Sequence, residues 1–237
     1  MRITQVSTST LISCLFISLI ACAPQAAFST AFTIIKTKKG WVVGSDSRRV
    51  SQDGKSGMSC KIRFKNGVVL IVWGPEWDGP PDLRKISQRY LDEEKGTAKG
   101  RSDELEKFII SDATFLQNTG SHRFGWAFID MQGAFGYEHE LDGSFKGINY
   151  SNASHSIYGT YCLGTASNRY LKTHLESGQP PDVDLATSLT RSALQAQADS
   201  PDSQGMVGAP FSIVLVSRSG IKWLDQDSCQ ASLVFQH

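Results

Sequence analysis

The sequence predicts an α+β domain in which two β-sheets pack face to face with helices on their outer sides. Three observations lead there. Two hairpin-like stretches, Thr30 to Ser45 and Lys61 to Gly74, come first. The apolar period then changes from alternation to helical spacing over two consecutive segments. Strands return, a second helix pair follows, and a final hairpin closes the chain. Strand runs separated by helix pairs are the pattern of sheet on sheet with helices outside.

In the first hairpin, "FTIIKT" and "WVVGS" are β-rich and flank the break Lys38-Lys39-Gly40. In the second, "KIRFKNGVVLIVWG" carries Asn66-Gly67, the strongest short hairpin signal. "PPDLRKISQRYLDEE" places Leu83, Ile86 and Tyr90 at helical spacing after a Pro-Pro-Asp start. "SDELEKFIISDATFLQN" reads as one further helix capped at Ser102, with Leu105, Ile109 and Phe115 inward. "FGWAFID", "GAFGYEHEL" and "SIYGTYCLG" are the next strands, and "MQG" and "LDGS" between them are turn sequences. A third helix is expected over Ala166 to Glu176. A fourth is expected over Asp184 to Ala198, with Leu185, Leu189, Ala193 and Leu194 as its stripe. "PFSIVLVSR" and "IKWLD" form the last hairpin around Ser219-Gly220.

Residues 1–29 read as a targeting segment. Leu11 to Ala23 is an apolar run too short to span a bilayer. Ala27-Phe28-Ser29 offers small residues for signal peptidase, which puts a cut before Thr30. "LIAC", ending at Cys22, also matches a bacterial lipobox, so a lipoprotein signal ending before Cys22, with membrane anchoring through its lipid, is the alternative. Either route exports the chain to the periplasm, the cell envelope or the medium. Residues 30–237 then form one domain, large enough to bury roughly 70% of its unfolded surface.

Charge is nearly balanced, with 24 basic and 23 acidic residues, and the basic ones are scattered. That argues against nucleic acid as a partner. Of five cysteines, Cys60, Cys162 and Cys229 lie beyond the leader, and the sequence does not choose a pair. There is no C-x-x-C spacing and no paired histidine motif, so no metal or cofactor is expected.

"TAFTIIKTKKGWVVGSDSRR", followed by "KIRF" and the element order, resembles proteasome β-type subunits, which are amino-terminal nucleophile (Ntn) hydrolases. The resemblance covers nearly all of the chain from Thr30 onward. It implies a four-layer αββα sandwich and a threonine-type hydrolase acting on peptide or other amide bonds. Thr30 falls at the family's first mature position, with Asp46 sixteen residues later as in the family. Asp46 then matches the buried aspartate, and Lys61 the catalytic lysine, one residue closer than usual. Gly74 matches the glycine whose N–H serves the oxyanion. Thr165, in "LGTASNRYL", stands in for a serine at the start of the third helix. Asp199 or Asp202, with Ser203, matches the Asp–Ser segment before the last strands. Trp73 stands beside the specificity pocket and narrows it. Ser29 replaces the glycine that usually precedes the nucleophile, and export is unusual for the family.

The chemistry explains these residue types. A threonine hydroxyl needs a base, and its own α-amino group, titrating near pH 8, can serve once Thr30 is the terminus. A lysine ammonium favours the developing alkoxide, and a carboxylate such as Asp46 keeps that lysine charged. A glycine lets a backbone N–H approach the oxyanion. Taken singly, each residue has a plainer reading. A threonine after a leader is commonplace, Asp46 and Arg48 can form a turn ion pair, and Lys61 can be a solvated strand-start lysine. Two other functions compete: a catalytically silent scaffold or binding lipoprotein of the same fold, and a β-rich periplasmic binding protein. The substrate and any assembly into homo-oligomers are left open.

Overall fold

The computed structural model of the 237-residue chain describes residues 30–50, 56–74, 82–93, 96–119, 123–140, 142–151, 165–175, 180–203 and 205–225. The expected leader and the strand "SIYGTYCLG" lie outside these residues.

Strands β1 (Phe32–Thr37) and β2 (Gly40–Asp46) form the first hairpin, followed by the short strands β3 (Arg48–Val50) and β4 (Ser56–Met58). Strands β5 (Ile62–Lys65) and β6 (Val68–Trp73) form the second long hairpin. Helices α1 (Leu83–Asp92), α2 (Ala98–Ser111) and α3 (Ala113–Thr119) come next, then β7 (Phe124–Ile129), β8 (Gly133–His139) and β9 (Phe145–Ser151). Helices α4 (Thr165–His174) and α5 (Val183–Ala198) precede the closing strands β10 (Phe211–Ser217) and β11 (Gly220–Asp225). The strands pair antiparallel into a four-stranded sheet, β1-β2-β10-β11, a five-stranded sheet, β5-β6-β7-β8-β9, and the small pair β3-β4.

Local chemistry sets the turns. Thr37 pairs with Gly40 across Lys38-Lys39, so the first hairpin has a two-residue turn. Asn66 and Gly67 both have positive φ, 52° and 77°, as a type I′ turn requires. Asp130 Oδ1 accepts from the backbone N–H groups of Gln132 and Gly133 and shapes the β7–β8 turn.

Alternation along the strands divides the apolar side chains between two faces. Phe32, Ile34, Trp41, Val43 and Val214 of the four-stranded sheet cluster with Ile62, Val69, Ile71, Trp73 and Ile129 of the five-stranded sheet. Leu70, Val72, Trp126 and Phe128, on the other face, meet Leu83, Leu105, Ile109 and Phe115 from α1, α2 and α3. Ile35, Val42 and Ile213 meet Leu171, Ala186, Leu189 and Ala193 from α4 and α5. Each valine, leucine, isoleucine or phenylalanine among them, fully buried, stabilises the fold by roughly 1.5–3 kcal/mol.

Several expectations need correction. The helix expected to start at Ser102 starts at Ala98, with Thr97 Oγ1 accepting from the Gly100 N–H. Ser102 is instead buried within the helix and accepts from Trp126 Nε1 at 3.2 Å. The segment is also two helices, because Asp112 leaves helical geometry and caps α3 through Phe115 N. Leu185, expected on the inner stripe of α5, is 51% exposed, and Ala186 takes the buried position. Strand β9 was not expected, since Gly147 and Asn149 depress its strand signal; among the described residues it pairs with β8 alone. The three-residue strands β3 and β4 are too short and polar to read.

Gly40 is required twice over. Its φ is +144°, and a Cβ there would lie 1.9 Å from the Val216 carbonyl oxygen. At Gly67, with φ +77°, a Cβ would meet no atom within 4 Å. Gly67→Ala should cost about 1–2 kcal/mol through backbone conformation alone. Gly40→Ala should cost clearly more, and denaturant unfolding of the two variants tests that ranking.

Candidate active site

The end of β2 and the residues before β1 and β5 converge. Asp46 is the last residue of β2, Ala31 immediately precedes β1, and Lys61 immediately precedes β5. Asp46 is fully buried. Lys61 Nζ lies 2.8 Å from its Oδ1 and 2.9 Å from its Oδ2. Ala31 N donates to Oδ1 at 3.0 Å, and the backbone of Arg48 adds a further hydrogen bond to the carboxylate. The carboxylate therefore belongs to Lys61, and Lys61 is a buried lysine, not a solvated one.

Burial pushes the Asp46 carboxyl above its ordinary range, opposed by the Lys61 charge and the hydrogen bonds it accepts. Burial likewise pushes the Lys61 ammonium below its ordinary range. Asp46 opposes that shift, and the nearby Arg84 charge adds to it.

Thr30 directly precedes Ala31, whose N–H bonds the Asp46 carboxylate, and is itself buried, at 8% exposure. Its neighbour Ala31 is held from both sides. The Ala31 carbonyl accepts from Asp46 N at 3.1 Å, and Ser45 Oγ lies 3.2 Å from the same oxygen. The Ala31 side chain packs with Leu194, Val207 and Phe211. Gly44 lets α5 lie directly on β2, since a Cβ there would be 2.2 Å from Thr190 Cγ2.

Gly74 follows β6 with φ +123°, and a Cβ would meet Phe124 Cβ at 2.6 Å. Packing alone therefore requires glycine at this position. Trp73 does not face the helix side where Lys61 lies. It is buried between the sheets, 4.8 Å from Phe32 by ring centroids, and Gly125 leaves room for its indole. Strand alternation turns Val72 toward the helices instead, where it lines a cavity of about 10 Å³ with Cys60, Lys61, Leu70, Arg63 and Arg84. The Trp73 side chain is therefore part of the core between the sheets and does not line this cavity. Cys60 is disulfide-bonded, and its partner lies outside the described residues.

The two residues after Thr165 are joined to Ser203 through a residue that sequence reasoning missed. Gln197, buried on α5, accepts through Oε1 from Ala166 N at 3.1 Å and Ser167 N at 3.2 Å. Its Nε2 donates to Ser203 Oγ at 2.9 Å, and Ser203 Oγ donates back to the Gln197 carbonyl. Gln197 thus satisfies the first-turn amides of α4 and joins them to the 3₁₀ turn Pro201–Ser203. The available signal was its spacing: 189, 193 and 197 recur every four residues, which puts a polar side chain on the inner stripe. Thr165 is exposed at the start of α4. Asp199 is exposed at the end of α5, where its carboxylate accepts from Gln195 Nε2 at 2.8 Å. The side chain of Asp202 lies outside what the structure describes.

No protein-family model matches the chain, and no curated protein does. Among solved structures it resembles the Anbu (Gly-1) mutant from Hyphomicrobium sp. strain MC1, a proteasome-like protein. The two share 13% identity, with a TM-score of 0.56 over 84% of this chain and 89% of that one. The fold is proteasome-like. At this identity the likeness speaks for the fold and not for an activity.

Lys61→Met alone leaves the buried Asp46 charge without its ammonium and should cost about 3–5 kcal/mol. Adding Asp46→Asn removes that charge and should recover part of the loss. Unfolding free energies of the wild type, both single variants and the double variant test this; strictly additive losses would mean the two residues are not coupled.

Proposed function

We propose that the chain is an exported amide or peptide hydrolase of the amino-terminal nucleophile type, built as a four-layer αββα sandwich. Removal of the leader exposes the Thr30 α-amino group. That amine takes the hydroxyl proton, directly or through one water, and Thr30 Oγ attacks the carbonyl carbon. Lys61 stabilises the alkoxide, Asp46 holds Lys61, and the Gly74 N–H serves the oxyanion. The amine leaves with a proton, and water then hydrolyses the acyl ester. The observation that carries this reading is the buried Asp46–Lys61 pair joined through Ala31 to the residue that would become the terminus. The Cys60 disulfide supports an oxidising compartment, in keeping with export. Cutting before Thr30 gives the active form. Lipidation at Cys22 instead anchors a chain whose Thr30 has no α-amino group.

A second reading, the silent scaffold, draws on one observation. Asp199 and Ser203 spend their side-chain hydrogen bonds on Gln195 and Gln197.

Two measurements test the proposal. Intact mass should give Thr30 as the mature terminus. Thr30→Ala should then lower amide hydrolysis by about 10³-fold or more, with stability changed by at most about 1 kcal/mol. Equal activity in wild type and variant removes Thr30 from the mechanism. No activity in either, with Thr30 confirmed as terminus, favours the scaffold.

The pH profile should have two limbs. Activity rises as the α-amino group loses its proton near pH 8. Lys61 titrates below the 10.5 of an ordinary lysine because it is buried. A cation loses its charge above its pKa, so activity should fall again before pH 10.5. A rate that stays flat through the alkaline range argues against a role for the ammonium.

A further inference from the structure

A cavity of about 880 Å³ lies at the other end of the four-stranded sheet, where the β1–β2 and β10–β11 turns stand side by side. Register puts them there. Gly40 pairs with Thr37 on one side and Ser217 on the other, and Ser217 pairs with Gly220. The two turns thus carry Lys38-Lys39 and Arg218-Ser219 next to each other. Lys36 and, from the β7–β8 turn of the other sheet, Met131 complete the wall.

The charge at this place is one-sided. Lys36, Lys38, Lys39 and Arg218 line the cavity, and no carboxylate does among the described residues. Asp130, the neighbour of Met131, is already engaged: it accepts from the Ala98, Gln132 and Gly133 N–H groups. A chain of net charge +1 gains such a concentration of cations only locally. The turns that carry them are also fixed. Thr37 Oγ1 donates to Gly40 O and accepts from Lys39 N, and Ser217 Oγ lies 2.9 Å from both Ser219 Oγ and Gly220 O. The walls of such a cleft focus the field and attract counter-ions. An arginine fork beside mobile ammonium groups suits oxyanions.

From this we infer that the cavity is a binding site for a compact polyanion, a small molecule carrying two or more phosphate or carboxylate groups. It is separate from the candidate nucleophile and does not depend on the hydrolase reading.

The test is calorimetric titration of the mature protein with tripolyphosphate and with citrate at low and moderate salt. One saturable site per chain is expected for at least one of them, weakening as salt rises. Lys38→Ala and Arg218→Ala should each weaken it roughly three- to tenfold and the Lys38→Ala/Lys39→Ala/Arg218→Ala variant by more. Thr30→Ala should bind like the wild type. No saturable heat with either anion at millimolar concentration overturns the inference. So does binding that survives the triple variant, whose fold is checked by circular dichroism. A poly-aspartate or single-stranded oligonucleotide that binds through these residues while both small anions fail also overturns it, in favour of a macromolecular surface.

Discussion

A carboxylate and an ammonium, both withdrawn from water, tie the two main sheets together at one end. Asp46 closes β2 in the four-stranded sheet, and Lys61 immediately precedes β5 in the five-stranded one. Desolvation works against both charges, and an isolated buried ion of either kind would not be tolerated. What makes the arrangement tenable is saturation. The carboxylate receives two contacts from Lys61 Nζ, one N–H from Ala31 and one from the Arg48 backbone. The same bonds decide where β1 begins, because Ala31 cannot leave without stripping the carboxylate of a donor.

A second polar device operates at the C-terminal end of α5. Helix α4 begins with N–H groups that its own turns cannot satisfy, and Gln197 supplies their acceptor from a neighbouring helix. Because the same side chain grips Ser203, the start of α4 and the turn after α5 are set by one residue. Leu194, on the same helix, packs against Ala31. Polar and apolar contacts of α5 therefore bear on the same corner of the molecule as the Asp46–Lys61 pair.

The three long hairpins and most helices were legible because they rest on short-range signals. Asn66-Gly67 dictates its turn through positive φ, and Leu105, Ile109 and Phe115 are all fully buried as their spacing predicts. The pairing of Asp46 with Lys61 was legible only through a resemblance, since fifteen residues separate them and no local rule joins them. What escaped has physical causes. Ser102 looked like a cap because serine favours caps, yet Trp126 from another element claimed its hydroxyl. The face that Trp73 takes was not readable, because a strand buried on both sides shows no alternation from which a face can be read. The tying role of Gln197 depends on residues from α4 and the following turn, which no stretch of sequence brings together.

Ala31 has a further consequence. Chain ends ordinarily fray, because their last residues gain more from conformational freedom than from contacts. Here the residue after Thr30 is clamped through its N–H, its carbonyl and its side chain. A chain cut before Thr30 would thus gain a charged end without gaining a loose one. In the cut proposed above, the new amine would sit one residue from backbone that is already held, so the cut would demand the rupture of one peptide bond and little reordering of the strand behind it.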